Sequence, residues 1–190
     1  MKIVDEPIPG LKVLKTFKRI DERGYFSELF KSSMFKNLKL PNKFVQLNES
    51  QSIGCVRRGL HLQWNPPMAK IMRVTRGSAR LVALDLRVDS KNFGNSYFID
   101  LNENDDIWLY GEYGFARGFE TSHEITNVEY LVTSEYNSNG EGGISSLDLS
   151  LKSNWLNNSP IISEKDLKLP SIKQWTKLPE SNLIRIEQFN

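Results

Sequence analysis

Apolar and polar residues alternate along much of this chain with the two-residue period of a strand, not the 3.6-residue period of a helix. In SARLVALDLRV (78–88), Val82, Leu84, Leu86 and Val88 fall on one face while Asp85 and Arg87 fall on the other. FVQLNESQ (44–51), CVRRGLHLQW (55–64), NSYFIDL (95–101), DDIWLY (105–110) and NVEYLVTSEY (127–136) read the same way. Turn formers separate them, with RG at 76–77, DSKNFGN at 89–95 and NENDD at 102–106. Many short strands at such spacing predict a mainly β chain, a sandwich or barrel. Helix is confined to short stretches. SSMFKNLKL (32–40) offers Ser32 or Ser33 as N-cap and Pro41 as a stop. ISEKDLKL (162–169) offers Ser163 as cap, with Glu164 and Asp166 in its first turn. The segment after about residue 171 fits either a terminal helix or an extra strand. No linker or repeat divides the 190 residues, which suit a single domain.

Charge narrows the choice of partners. Lys and Arg number 25 against 23 Asp and Glu, a net +2 spread along the chain, so neither nucleic acid nor a membrane surface is expected. A local set of Arg57, Arg58, Lys70, Arg73 and Arg76 suits a small anion. The start, MKIVDEPIPG, lacks the apolar run of a signal peptide, and no stretch approaches membrane-spanning length, so a cytoplasmic location is expected. Cys55 is the sole cysteine, which excludes an internal disulfide. Together with His61 and His123 it makes three imidazole or thiolate side chains, too few for the usual transition-metal site, and no metal is expected. Phosphate-binding glycine loops and the strand–turn–helix nucleophile motif are both missing. A lone cysteine on a strand reads first as a small buried hydrophobe.

The stretch VRRGLHLQW (56–64) stands out. Strand alternation puts Cys55, Arg57, Gly59, His61 and Gln63 on one side, a polar stripe that is odd for a packed core and suits a pocket wall. His61 then reads either as a core histidine with one satisfied hydrogen bond or as an acid–base group working without metal.

These residues carry a resemblance. RGLHLQ (58–63), preceded by DERGYFSELF (21–30) and VQLNES (45–50), resembles the dTDP-4-dehydrorhamnose 3,5-epimerase family. The similarity continues through AKIMRVTRGSARLVALDLR (69–87), NFGN (92–95), GFARGF (114–119), TSEY (133–136) and PIISEKD (160–166), about residues 10 to 172 in all. It implies a cofactor-independent, cupin-like jelly roll with residues 173–190 as a C-terminal extension. It also implies a homodimer whose N-terminal strands cross to the neighbouring subunit, acting on a nucleotide-diphosphate sugar. By position, His61 matches the catalytic base, Asp166 its carboxylate partner, Tyr136 the acid on the opposite face and Lys70 the lysine beside the C4 oxygen. Gln46, Asn48 and Arg58 match contacts to the diphosphate or sugar, and Arg23, Phe26 and Glu28 a segment reaching the nucleotide, typically across the dimer. Arg117 stands where the family commonly has histidine, an extra cation for the pocket.

The implied chemistry suits these residue types. A hydrogen beside a ketone is weakly acidic, so its removal needs a base and stabilisation of the growing enolate. Neutral histidine serves as the base near physiological pH, and a carboxylate on its other nitrogen fixes the tautomer. A lysine meets the oxyanion, and a tyrosine returns a proton from the other face. Read in isolation, Asp166 only stabilises a helix turn, Tyr136 packs on a strand, Lys70 sits on a solvated strand edge and 23–28 is a charged hairpin. Alternation also sets Arg58 opposite His61, unless Gly59 hosts a bulge that re-aims it. Two other readings are a sugar 3,4-ketoisomerase, whose HxH pattern is HLQ here, and a non-catalytic nucleotide-sugar-binding cupin.

Overall fold

The computed structural model describes residues 1–122 and 124–186; His123 and the last four residues of the expected extension lie outside the described residues. The strands are β1 (Lys2–Ile8), β2 (Leu11–Lys15), β3 (Arg19–Asp21), β4 (Gly24–Phe26), β5 (Gln46–Ile53), β6 (Arg57–Gln63), β7 (Lys70–Arg76), β8 (Ser78–Asp85), β9 (Ser96–Asn102), β10 (Ile107–Gly111), β11 (Phe115–Thr121), β12 (Ile125–Val132) and β13 (Glu141–Gly143). One sheet runs β1-β2-β10-β7-β12-β5, a second runs β13-β6-β11-β8-β9, and β3 pairs with β4 alone. The two large sheets face each other. Leu11, Val13, Met72, Val74 and Leu109 from the first meet Leu81, Ala83, Phe115 and Phe119 from the second. This is the mainly β sandwich expected of a jelly roll.

Both sheets are also covered on their outer faces. Val82, Leu84 and Leu86 do share a face, and it packs under Ile144, Leu151, Trp175 and Ile184 from the C-terminal third of the chain. Asp85 and Arg87, on the other side, are buried too, joined by bonds of 2.8 and 2.7 Å, with Arg87 also donating to Glu112 at 2.5 Å. The undecided tail is neither a long helix nor a strand. It holds α3 (Ile172–Trp175), closed by a capping box between Ser171 and Gln174, and a 3-10 turn at Pro179–Leu183. Burying Trp175 and Ile184 contributes about 2 kcal/mol each, which ties this segment to the sheet.

The outer face of the six-stranded sheet is covered by α1 (Ser32–Asn37), whose Phe35 packs with Leu40 on Leu14, Ile71 and Trp108. Its N-cap is Lys31, not Ser32 or Ser33, because the Ser32 hydroxyl donates instead to the Asn42 carbonyl at 3.1 Å. The helix ends before Pro41, where Lys39 takes φ +55°. In α2 (Glu164–Leu167) the expected cap holds: Ser163 Oγ accepts from the Asp166 amide at 3.1 Å. β12 stops at Val132, short of the expected 136. There the Thr133 hydroxyl accepts from the Ala69 amide, and the Gln63 side chain bonds the Glu135 carbonyl and Asn137 amide. Tyr136 therefore sits in a loop. Among the described residues no helix is long and apolar enough to cross a membrane.

Candidate active site

The site begins with a fault in a ladder. β6 pairs with β11 through His61 and Arg117, then through Arg58 and Phe119, so Gly59 and Leu60 together oppose Gly118. This is a bulge. Gly59 takes φ +96°, and a Cβ on it would lie 2.7 Å from the Arg117 carbonyl oxygen, so glycine alone fits there. The bulge shifts the phase of the strand. Arg57 turns to the outer face, buried against the Trp155 ring at 4.4 Å and paired with Glu120 at 2.8 Å. Arg58 takes the same side of the strand as His61 and stays exposed at the cavity rim, donating to Ser52 Oγ at 3.1 Å and to the Gln51 carbonyl at 3.0 Å. The expected stripe that joined Arg57 to His61 is thus corrected, and it is Arg58 that lines a cavity with His61.

The wider basic set also divides. Arg73 is bound to Glu129 at 2.8 Å and stacked on Trp108, away from the cavity, while Lys70 and Arg58 line it. Lys70 is on β7 between β10 and β12, so it is not an edge residue. Cys55 is half-buried, and burial, followed by the nearby Glu120 charge, pushes its thiol up, away from a nucleophilic thiolate.

His61 and Asp166 form a close pair. Nε2 lies 2.6 Å from Asp166 Oδ1, and the Gly59 amide donates to Oδ2 at 3.1 Å. A carboxylate only accepts, so Nε2 carries the hydrogen and Nδ1 is the free base nitrogen. Burial raises the Asp166 carboxyl, but its bonds to His61, Gly59 and Ser163 outweigh this and hold it below the usual carboxylate range. Asp166 both sits in the first turn of α2 and orients the histidine.

A cavity of about 340 Å³ opens in front of His61, lined among others by Gln46, Asn48, Lys70, Arg117, Tyr130, Tyr136 and Glu141. The sequence-derived candidates His61, Lys70, Tyr136, Gln46, Asn48 and Arg117 thus converge on it, while Asp166 and Arg58 line its continuation past His61. Gln46 Oε1 accepts from the Tyr136 amide at 3.0 Å, and its Nε2 donates to Asn48 at 2.8 Å. The Tyr136 hydroxyl donates to Glu141 Oε1 at 2.6 Å, and this bond is the main reason its pKa is raised, with burial adding to it. Lys165 pairs with the same Glu141 oxygen. Lys165 lies inside a segment already singled out in the sequence and Glu141 just past another, yet neither was a candidate; only the closing of the loop onto β13 brings them to Tyr136.

Lys70 lies 4.7 Å from the Tyr130 ring centroid, and burial, then the neighbouring Arg117 charge, lowers its pKa to about 7 against a weaker pull from Glu141. Arg23, Phe26 and Glu28 are not brought to this cavity. They sit on and after the β3–β4 hairpin, whose Ile20, Tyr25 and Phe26 are exposed at 79%, 65% and 66%. Arg23 there bonds Asp21, and Glu28 pairs with Lys31.

Comparison with known proteins gives the site its context. The family model described as dTDP-4-dehydrorhamnose 3,5-epimerase matches residues 5–174. The enzyme of that name from Sinorhizobium fredii is 37% identical over 169 residues, covering 87% of this chain and 86% of its own. Among solved structures, the Mycobacterium tuberculosis rmlC epimerase superposes with a TM-score of 0.90 at 30% identity, covering 99% of this chain and 96% of its own. The Legionella pneumophila dTDP-6-deoxy-D-glucose-3,5-epimerase, solved in complex with dTDP-4-keto-L-rhamnose, superposes with a TM-score of 0.87 at 29% identity, covering 97% of each chain. With the match running from the first strand to the helix that ends at Trp175, this chain belongs to the dTDP-4-dehydrorhamnose 3,5-epimerase family.

Proposed function

We propose that this protein is a cofactor-independent epimerase that inverts C3, C5 or both of a dTDP-4-keto-6-deoxy sugar, in the deoxysugar branch that feeds surface polysaccharides. The observation that carries this reading is the His61–Asp166 pair at 2.6 Å, with Tyr136 lining the same cavity. His61 Nδ1 removes the proton beside the C4 ketone, and Asp166 favours the imidazolium that forms. Lys70 meets the C4 oxyanion as the enolate grows. Tyr136 then delivers a proton to the opposite face, its hydroxyl kept protonated by its bond to Glu141. The enolate exists only between the two proton transfers, so both groups must be in place before it forms.

Substrate contacts follow from position. Arg58 serves the diphosphate, freed for it by the bulge, whereas Arg57 is committed to Glu120. Gln46 and Asn48 serve the sugar. The exposed apolar hairpin supports a homodimer in which Arg23, Phe26 and Glu28 reach the nucleotide in the partner's cavity, within a cytoplasmic enzyme. The ketoisomerase reading is disfavoured by Gln63. Its amide is spent on the Pro66 and Glu135 carbonyls and the Asn137 amide, so from the cavity wall it anchors a loop and offers no second imidazole.

The test is incubation with dTDP-4-keto-6-deoxyglucose in heavy water, followed by NMR. Deuterium entering C3 and C5 with inversion is the expected result, and entry at one carbon makes it a single-centre epimerase. His61→Ala is expected to abolish exchange at both carbons; full exchange in that variant overturns the assignment of the base.

A further inference from the structure

No carboxylate among the described residues pairs with Arg117. It is 3% exposed, and its guanidinium donates to the backbone carbonyls of Gly111 (2.6 Å), Glu112 (3.2 Å) and Met68 (3.1 Å), all neutral acceptors. Its Nε is buried with no partner among the described residues. The nearby carboxylates are spent elsewhere: Glu112 on Arg87, Glu141 on Lys165 and Tyr136, Asp166 on His61. A buried cation held only by dipoles projects its field onto whatever titrates beside it.

That neighbour is Lys70: the Arg117 guanidinium is bonded to the Gly111 carbonyl, and Gly111 is the residue of β10 that pairs with Lys70 on β7. Facing the same cavity are Arg117 on β11, Arg58 and His61 on β6, Tyr130 on β12, Glu141 on β13, Tyr136 in its loop, and Lys165 and Asp166 on α2. Positive groups outnumber negative ones, and both carboxylates among them are already paired. Arginine does not release its proton under these conditions, so the lysine must give way.

We propose that Arg117 is a positioning residue for Lys70, a fixed cation behind it that keeps the amine ready to take a proton as the anionic substrate enters. Binding then charges Lys70 where the oxyanion will appear. The proton comes from solvent and returns to it when the product leaves. The identity of the anion rests on the epimerase reading, whereas the relation between the two cations does not.

The first test is therefore made without ligand. Lys70 is titrated by 13C NMR at Cε, its signal assigned with Lys70→Arg. The expected midpoint is about 7 in the wild type, as burial and the Arg117 charge set it. It stays low in Arg117→Lys, which keeps the charge, and rises by about one pH unit or more in Arg117→Gln. A wild-type midpoint above about 9, close to an ordinary lysine, overturns the proposal, and so does an unchanged midpoint in Arg117→Gln. Should Arg117→Gln fail to fold, calorimetry of dTDP binding at pH 8 in buffers of different ionisation enthalpy decides. Wild type is expected to take up most of one proton, and Lys70→Met none. Binding without proton uptake overturns the proposal. Failure of dTDP to bind counts against the epimerase reading instead, and the ligand-free titration of the wild type still tests the proposal, which a midpoint above about 9 overturns.

Discussion

The two walls of the cavity are built in different ways. His61 stands on a strand paired on both sides, with Gly143 across one ladder and Arg117 across the other, and Asp166 behind it is almost wholly buried. Tyr136 stands on a loop, 55% exposed, with only its neighbours' backbone pinned by Gln63 and its own amide by Gln46. The proposed base, His61, is placed by the ladder and cannot drift without breaking backbone bonds. The proposed acid is placed by side chains, and in that role its hydroxyl must leave Glu141 to reach a substrate carbon. In the proposed reaction, rigid placement suits the group that starts it, and a donor held by a single exposed side-chain bond suits the step that follows once the enolate exists.

The largest effect is expected from breaking the rigid wall. Gly59→Ala puts a Cβ against the Arg117 carbonyl at φ +96°, with a cost of about 3 kcal/mol and a fall in Tm of about 6–12 °C. Because the Gly59 amide also holds Asp166, exchange and inversion fall together, on the order of 10²-fold. Thermal unfolding and deuterium exchange check both parts. Breaking the other wall separates what the first break keeps joined. Tyr136→Phe is expected to lower inversion on the order of 10²-fold while His61 continues to exchange the proton on its own face. Stability changes by less than about 0.5 kcal/mol, as befits an exposed side chain. Equal loss of exchange and inversion would place Tyr136 on the base side.

The smallest effect sharpens the contrast. The bond to Glu141 raises the Tyr136 pKa, so the hydroxyl stays protonated to higher pH than an ordinary tyrosine. Glu141→Gln removes that anion, and the alkaline limb of the inversion rate moves to lower pH by about one unit or less. Exchange, on the proposed mechanism, does not need Tyr136, so its pH profile responds to this variant only through Lys70, whose pKa Glu141 raises weakly. A limb that does not move would show that Tyr136 is not the group titrating there.

Much of this was legible along the chain. Alternation located the strands, Ser163 marked the start of α2, and the resemblance paired His61 with Asp166 across 105 residues of sequence. The extension after residue 173 was harder to read, because an apolar face such as Trp175 and Ile184 declares itself only against the sheet it covers. Glu141 and Lys165 were invisible for a similar reason: a charged residue in a loop looks solvated until its loop folds over a pocket.

Arg57 and Arg58 show where the division falls. The sequence by itself determined that a strand with two arginines, a glycine and a histidine lies at the site, because residue type and two-residue period are local properties. Which arginine enters the cavity was decided only when β6 paired with β11. One extra residue in a ladder reverses the facing of everything on one side of it, and a bulge is a relation between two strands, absent from either alone.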